Sequence, residues 1–268
     1  GFMPLLQNTF NLVLEAAQCR AEYWNKTPYN VLLDDYNPDF DQIKIDRVFQ
    51  PLEQQLPSLI QEIIEHQQKL TYQKPQGPFP IDKQHSLGLA VMKTLCFDFQ
   101  HGRLDTAHHP FCGGSPEDIR VTTRYDENDF LSSLMAVCHE TGHAKYEQNL
   151  PQEWRSQPVG HAMGMALHES QSLLVEMQIC RSKEFIRCIT PLLNPQWRQQ
   201  EAMNTHNLFA LATRVQPSLI RVEADEVTYP MHVILRYQIE RDLFNQRIEI
   251  KDLPDYWNQH MQQYLGIG

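Results

Sequence analysis

The stretch Ala136-Val137-Cys138-His139-Glu140-Thr141-Gly142-His143-Ala144 decides how this chain is read. Around its start, Leu131, Leu134, Met135 and Cys138 recur at three- and four-residue spacing, which predicts a helix with one buried face. Residues four apart share a helix face, one turn apart. His139 and His143 can therefore offer two imidazole nitrogens to one metal ion, at about 2.0–2.1 Å each. Glu140 points beside that face, where a carboxylate can take a proton from a metal-activated water. Such a short pattern also arises by chance on helices, so its surroundings matter. The small residues Ala136, Gly142 and Ala144 are expected to leave room for a metal and a substrate. A mid-helix glycine costs about 1 kcal/mol relative to alanine, so Gly142 implies that something approaches closely there.

Composition bounds the rest. The chain has 268 residues, 41% hydrophobic and 21% charged, with 33 acidic against 23 basic residues and a net charge of −10. That length can bury a sizeable core, and the acidic balance argues against a nucleic-acid surface. No run approaches the roughly 18 apolar residues of a membrane helix, so no membrane span is expected. Phe2-Met3-Pro4-Leu5-Leu6 passes quickly into polar residues, so no signal peptide is expected either. Six cysteines (Cys19, Cys96, Cys112, Cys138, Cys180, Cys188) include no C-x-x-C pair. In a chain this long they read as buried free thiols in a reducing compartment, the cytoplasm by default.

Breakers and periodicity predict a single, mainly helical domain over residues 1–268. Helices are expected at 5–24, 43–54, 56–69 and from Asp82 to about residue 97. Thr27-Pro28-Tyr29-Asn30 reads as a break, and residues 32–39 as a solvated acidic loop. Residues 119–125 alternate and are β-branched, the one convincing strand. It could add to an extended peptide through its backbone groups or be a short structural hairpin. Asn128 or Asp129 is expected to cap the metal helix, which ends near Gln148 and is closed by Pro151. A long helix is expected at 160–188, with Ala162, Met165, Ala166, Leu173, Leu174 and Met177 as its apolar stripe, ended by Pro191 and Pro195. Further helices are expected at 199–211, from Thr228 to about 245, and at 254–264.

A catalytic zinc usually takes three protein ligands and a water. The longer histidine motif of the metzincins would need Gly at 146 and His at 149, where Tyr146 and Asn149 stand, so that class is excluded. Glu147, Glu153, Glu169 and Glu176 are the carboxylate candidates. Glu147 lies a further turn along the same helix, Glu153 in a Pro-flanked loop, and Glu176 reads as a solvated face. Glu169, mid-helix in Leu167-His168-Glu169-Ser170-Gln171-Ser172, is preferred to Glu176.

The series His109-Pro110-Phe111, Asp118-Ile119-Arg120-Val121-Thr122, His139-Glu140-Thr141-Gly142-His143, His168-Glu169-Ser170-Gln171 and Ile220-Arg221-Val222-Glu223-Ala224-Asp225 resembles the carboxypeptidase Taq family. These are thermostable carboxypeptidase 1-like metallocarboxypeptidases, and the resemblance covers essentially the whole chain. It implies an all-α, neurolysin-like zincin fold with a small strand element near residues 118–125. It also implies removal of single residues from peptides with a free C-terminus, usually by a homodimer. His139, His143 and Glu169 match the metal ligands, and Glu140 the general base. The metal would be Zn2+, with Co2+ or Mn2+ also suited to such donors. Arg221 matches an arginine expected to grip the substrate carboxylate bidentately; a salt bridge to Asp225 is its structural alternative. Tyr229 and His232 are candidate donors to an oxyanion, while His109 and Arg120 are expected to shape the cleft. Against the family, the chain reads as a central portion, without the helical region that precedes it and the Gln-Asp-x-His-Trp motif that follows. The alternatives are a non-catalytic fragment of such an enzyme, or an oligoendopeptidase on the same scaffold.

Overall fold

Thr27-Pro28 starts a helix in this structure; it does not interrupt one. The computed structural model describes residues 1–193, 197 and 200–268. Helix α1 (Phe2–Trp24) ends at Asn25, whose φ of 52° closes it in the left-handed region. Thr27 then caps α2 (Pro28–Tyr36), accepting from the Asn30 N–H, with Pro28 in the first turn where its missing N–H costs nothing. The expected acidic loop is thus mostly helix, and Asp35 on it pairs with Arg20 of α1 at 2.6 Å. Helix α3 (Gln42–Gln67) runs unbroken through Pro51 and Pro57, where two helices are predicted. Each proline removes one hydrogen bond; packing of Ile60 among Met231, Leu235, Met261 and Leu265 outweighs the loss.

Helix α4 (Ile81–Thr94) leads into three strands, β1 (Gly102–Thr106), β2 (Phe111–Ser115) and β3 (Asp118–Thr123). β3 is the central strand, parallel to β1 and antiparallel to β2. The strand read from the sequence therefore has both edges paired and cannot itself receive a peptide strand. Its two partners escape a sequence reading because β1 is largely polar and three of the five residues of β2, Phe-Cys-Gly-Gly-Ser, are glycine or serine. Ile119, Val121 and Thr123 alternate inward.

Helix α5 (Phe130–Gln148) carries the His-Glu-x-x-His stretch, and Asp129 caps it through the Leu131 and Ser132 N–H groups. Helix α6 (Met165–Leu173) continues into a wide, π-helical turn, Leu174–Cys180, before α7 (Lys183–Leu193). The single long helix predicted there is thus two helices joined through a π turn. Of its expected stripe, Met165 and Leu174 are exposed and Met177 is buried, together with Ser172, Glu176 and Cys180. Pro191 lies inside α7; Pro195 and Gln199, expected to bound helices, lie outside the described residues. Helices α8 (Thr205–Ala212), α9 (Tyr229–Phe244) and α10 (Leu253–Leu265) complete the chain. The fold is mostly helical with one small sheet, as expected, and no helix among the described residues is long and apolar enough to cross a membrane.

The chain separates into two compact units, residues 1–70 with 215–268, and residues 71–214. In the first, α3, α9 and α10 close over the Ile60 and Leu235 core. In the second, α5 packs against α4, α6, the π turn, β2 and β3. It buries two faces, not the one expected. Leu134, Met135 and Cys138 enter a core with Phe79, Leu87 and Ile186. Val137 and Ala144 enter another with Ile119 and Val121 beneath the sheet. The histidines lie on the strip left between these faces.

Gly142 explains how α6 reaches that strip. A Cβ at this position would lie 2.6 Å from Ser172 Cα and 2.7 Å from Gln171 O, both backbone atoms that cannot turn aside. The close approach inferred from the glycine is therefore the backbone of α6, not a metal or substrate. Gly142→Ala should lower the unfolding free energy by up to about 2 kcal/mol, because overpacking of about 1–3 kcal/mol outweighs the gain of about 1 kcal/mol in helix propensity. Urea unfolding checks this; a stabilised variant would contradict it.

Candidate metal centre

His139 and His143 sit one turn apart on α5, with side chains about one-fifth and one-seventh exposed. Across the Gly142 contact, Glu169 of α6 places Oε2 3.6 Å from His139 Nε2 and 3.2 Å from His143 Nε2. The three donor atoms all lie within 4.8 Å of one another, and among the described residues this is the one such group. Donors about 2.05 Å from a tetrahedral ion stand about 3.3 Å apart. These two spacings bracket that value, so the three donors suit a divalent cation. Two imidazoles and a carboxylate are the donor types that such a cation takes. Glu169 is held in place by the Ser172 hydroxyl, which donates to Oε2 at 3.0 Å.

His139 is oriented from behind. Its Nδ1 lies 2.9 Å from Glu176 Oε2, and Arg181 donates to Glu176 Oε1 at 2.7 Å. An ionised carboxylate only accepts, so Nδ1 carries the proton and Nε2 keeps its lone pair for a metal. Burial pushes the Glu176 carboxyl up, but hydrogen bonds from His139 and Arg181 outweigh it and hold the pKa below its ordinary value. Burial likewise disfavours the His139 cation, yet the Glu176 hydrogen bond and the neighbouring carboxylates leave its pKa raised. Glu176 is thus a buried site residue, where the sequence reading has a solvated face. The signal was available: Glu176 follows Glu169 by seven residues, nearly two full turns, so the two share a face. Arg181 and His168 carry no such local signal.

Glu140 is buried, with 7% of its surface exposed. Burial raises its carboxyl pKa; the His139 and His143 charges oppose this, and the Glu169 and Glu176 charges add to it. A carboxylate with a raised pKa beside a metal point is suited to taking and returning a proton.

His109 is exposed in the turn before β2, its carbonyl accepting from the Thr122 hydroxyl at 3.0 Å. Arg120 is exposed on β3, paired with Asp118 at 2.7 Å. Arg221, Tyr229 and His232 belong to the other unit. There Arg221 donates to Tyr229 Oη at 3.1 Å, while Asp225 receives the Gln216, Val227 and Thr228 N–H groups. The alternative Arg221–Asp225 ion pair is therefore replaced by a contact with Tyr229. His232 is fully buried on α9; burial, then the nearby Arg236 charge, lowers its pKa.

Known proteins resemble this chain in sequence and in fold. A family model described as carboxypeptidase Taq (M32) metallopeptidase matches residues 1–268. The chain is 37% identical over 277 residues to carboxypeptidase 1 of Bacillus subtilis, covering 99% of this chain and 53% of that protein. Thermostable carboxypeptidase 1 of Thermus thermophilus is 32% identical, over 100% of this chain and 54% of its own. Among solved structures, Trypanosoma cruzi metallocarboxypeptidase 1 superposes with a TM-score of 0.96 at 44% identity, covering 99% of this chain and 56% of that one. The M32 carboxypeptidase from Deinococcus radiodurans gives a TM-score of 0.92 at 30% identity, over 99% and 53%. The chain spans about half the length of the curated relatives it matches. Aligned to the family from its first residue to its last, the chain belongs to the carboxypeptidase Taq (M32) metallopeptidases.

Proposed function

We propose that the chain holds the hydrolytic centre of a zinc carboxypeptidase that releases C-terminal amino acids from peptides. The observation that carries this is the convergence of His139, His143 and Glu169 beside the buried Glu140. The curated relatives' names, carboxypeptidase 1 and thermostable carboxypeptidase 1, support the exopeptidase direction.

His139, His143 and Glu169 would hold the metal, taken here as zinc, although cobalt or manganese suits the same donors. When bound, the ion supplies Lewis acidity, lowering the pKa of a water and polarising a carbonyl. Glu140 accepts the proton of the attacking water and returns it to the leaving amine. Burial favours the protonated form that the second half of this cycle needs. Glu176 and Arg181 keep the His139 ring in one tautomer throughout.

Arg221 is proposed to take the substrate's terminal carboxylate, on the chemistry of its guanidinium, which matches a carboxylate bidentately. Its bond to Tyr229 supports this by restraining the guanidinium before substrate arrives. Oxyanion donation by Tyr229 or His232, and cleft shaping by His109 and Arg120, rest on the resemblance alone. A homodimer rests there too. A reducing, cytoplasmic setting fits six free cysteines.

Glu140→Gln should leave zinc content unchanged and lower kcat by about 10²–10⁴-fold; turnover close to the parent would overturn the assignment of the base. Blocking the substrate's terminal carboxylate tests the exopeptidase reading. A peptide amide should be cleaved at least about tenfold more slowly, in kcat/KM, than the matching free acid. Equal rates would point to an oligoendopeptidase.

A further inference from the structure

His139 is oriented directly by a carboxylate, but His143 is not. Its Nδ1 lies 2.6 Å from Nδ1 of His168, the residue just before Glu169 on α6. On its other side, His168 Nε2 lies 2.8 Å from Oε1 of Glu147, back on α5. The His143 and His168 ring centroids are 4.7 Å apart, and Tyr146 stands edge-on to His168 at 5.1 Å. The His168 side chain keeps 16% of its exposure and Glu147 25%, so both ends of the contact are partly shielded from water.

Proton placement follows from who can donate. Two ring nitrogens 2.6 Å apart share one proton; two would clash and none would leave facing lone pairs. The Glu147 carboxylate only accepts, so it takes the Nε2–H of His168. Neutral His168 is then a bare acceptor at Nδ1, and the shared proton belongs to His143 Nδ1. That leaves His143 Nε2 as a lone pair, and this is the nitrogen 3.2 Å from Glu169 Oε2. The opposite tautomer would turn an N–H towards the metal point.

We propose that His168, held by Glu147, is a positioning residue that fixes the tautomer and ring angle of His143 and so presents its Nε2 as a metal donor. The inference rests on the metal-centre reading above. One turn of α6 then supplies both a ligand, Glu169, and the imidazole that aims another, and the path Glu147–His168–His143 ties α6 to α5 a second time beside Gly142. Ligand orientation of this kind is ordinarily worth 10–100-fold in metal affinity.

The test is the zinc dissociation constant, by competition with a chromophoric chelator at one fixed pH. It compares the parent protein with Glu147→Ala, His168→Phe and His168→Asn. His168→Phe keeps a ring against Tyr146 and removes the acceptor, while the Asn side chain can restore an acceptor near the position of Nδ1. Glu147→Ala and His168→Phe should bind zinc about 10–100-fold more weakly, with His168→Asn recovering most of the loss. The metal-free melting temperatures, read in excess chelator, should stay within about 4 °C of the parent. Parent-like affinity in Glu147→Ala and His168→Phe would overturn this inference alone, as would an equal loss in His168→Asn and His168→Phe. A parent that binds no zinc would overturn the metal centre and this inference with it.

Discussion

The centre depends on how closely the backbone of α6 can approach α5. At Gly142 the two helices meet with Ser172 Cα and Gln171 O where a side chain would begin. Any larger residue there forces the α6 backbone to shift, and a site in which Glu169 stands 3.2 and 3.6 Å from the two histidine donors has little tolerance for that. The two cores flanking α5 make the position rigid from the other side. With Leu134, Met135 and Cys138 locked into one core and Val137 and Ala144 into the other, the helix cannot rotate to relieve a clash.

Charge is the second constraint. Four carboxylates (Glu140, Glu147, Glu169 and Glu176) crowd three imidazoles in a half-buried space, a costly arrangement unless each group has a partner. The partners are shared out by geometry. Glu176 takes His139 Nδ1 and the Arg181 guanidinium, Glu147 takes His168, and Glu169 faces the two Nε2 lone pairs and receives the Ser172 hydroxyl. Glu140 has no strong opposing hydrogen bond among these, and burial keeps its proton affinity high. The same residue types thus do three kinds of work, decided by which atom points where.

Legibility in the sequence followed the range of the interaction. His139, Glu140 and His143 were readable because one helix turn joins them, and Asp129 because a cap is a contact between neighbours. Glu169 could be preferred only among several acids, since its selection depends on α6 crossing α5. The broken register of α6 hid the rest. With the π turn at Leu174–Cys180, Glu176 is buried and Leu174 exposed, so of the α-helical stripe drawn through Met165, Leu174 and Met177 only Met177 faced inward among these three. Thr27-Pro28 and Pro57 show the opposite error, a proline read as a stop where it opens one helix and is tolerated inside another. Two strands went unseen because β1 is mostly polar and the glycines of β2 suppress any alternation.

The claim that α5 and α6 together build one metal site is tested most directly by metal stoichiometry. Elemental analysis after zinc loading and gel filtration should find about one equivalent in the parent. Glu169→Ala should retain well under half of that, with an unchanged circular dichroism spectrum. Equal metal in both, or none in the parent, would contradict the account.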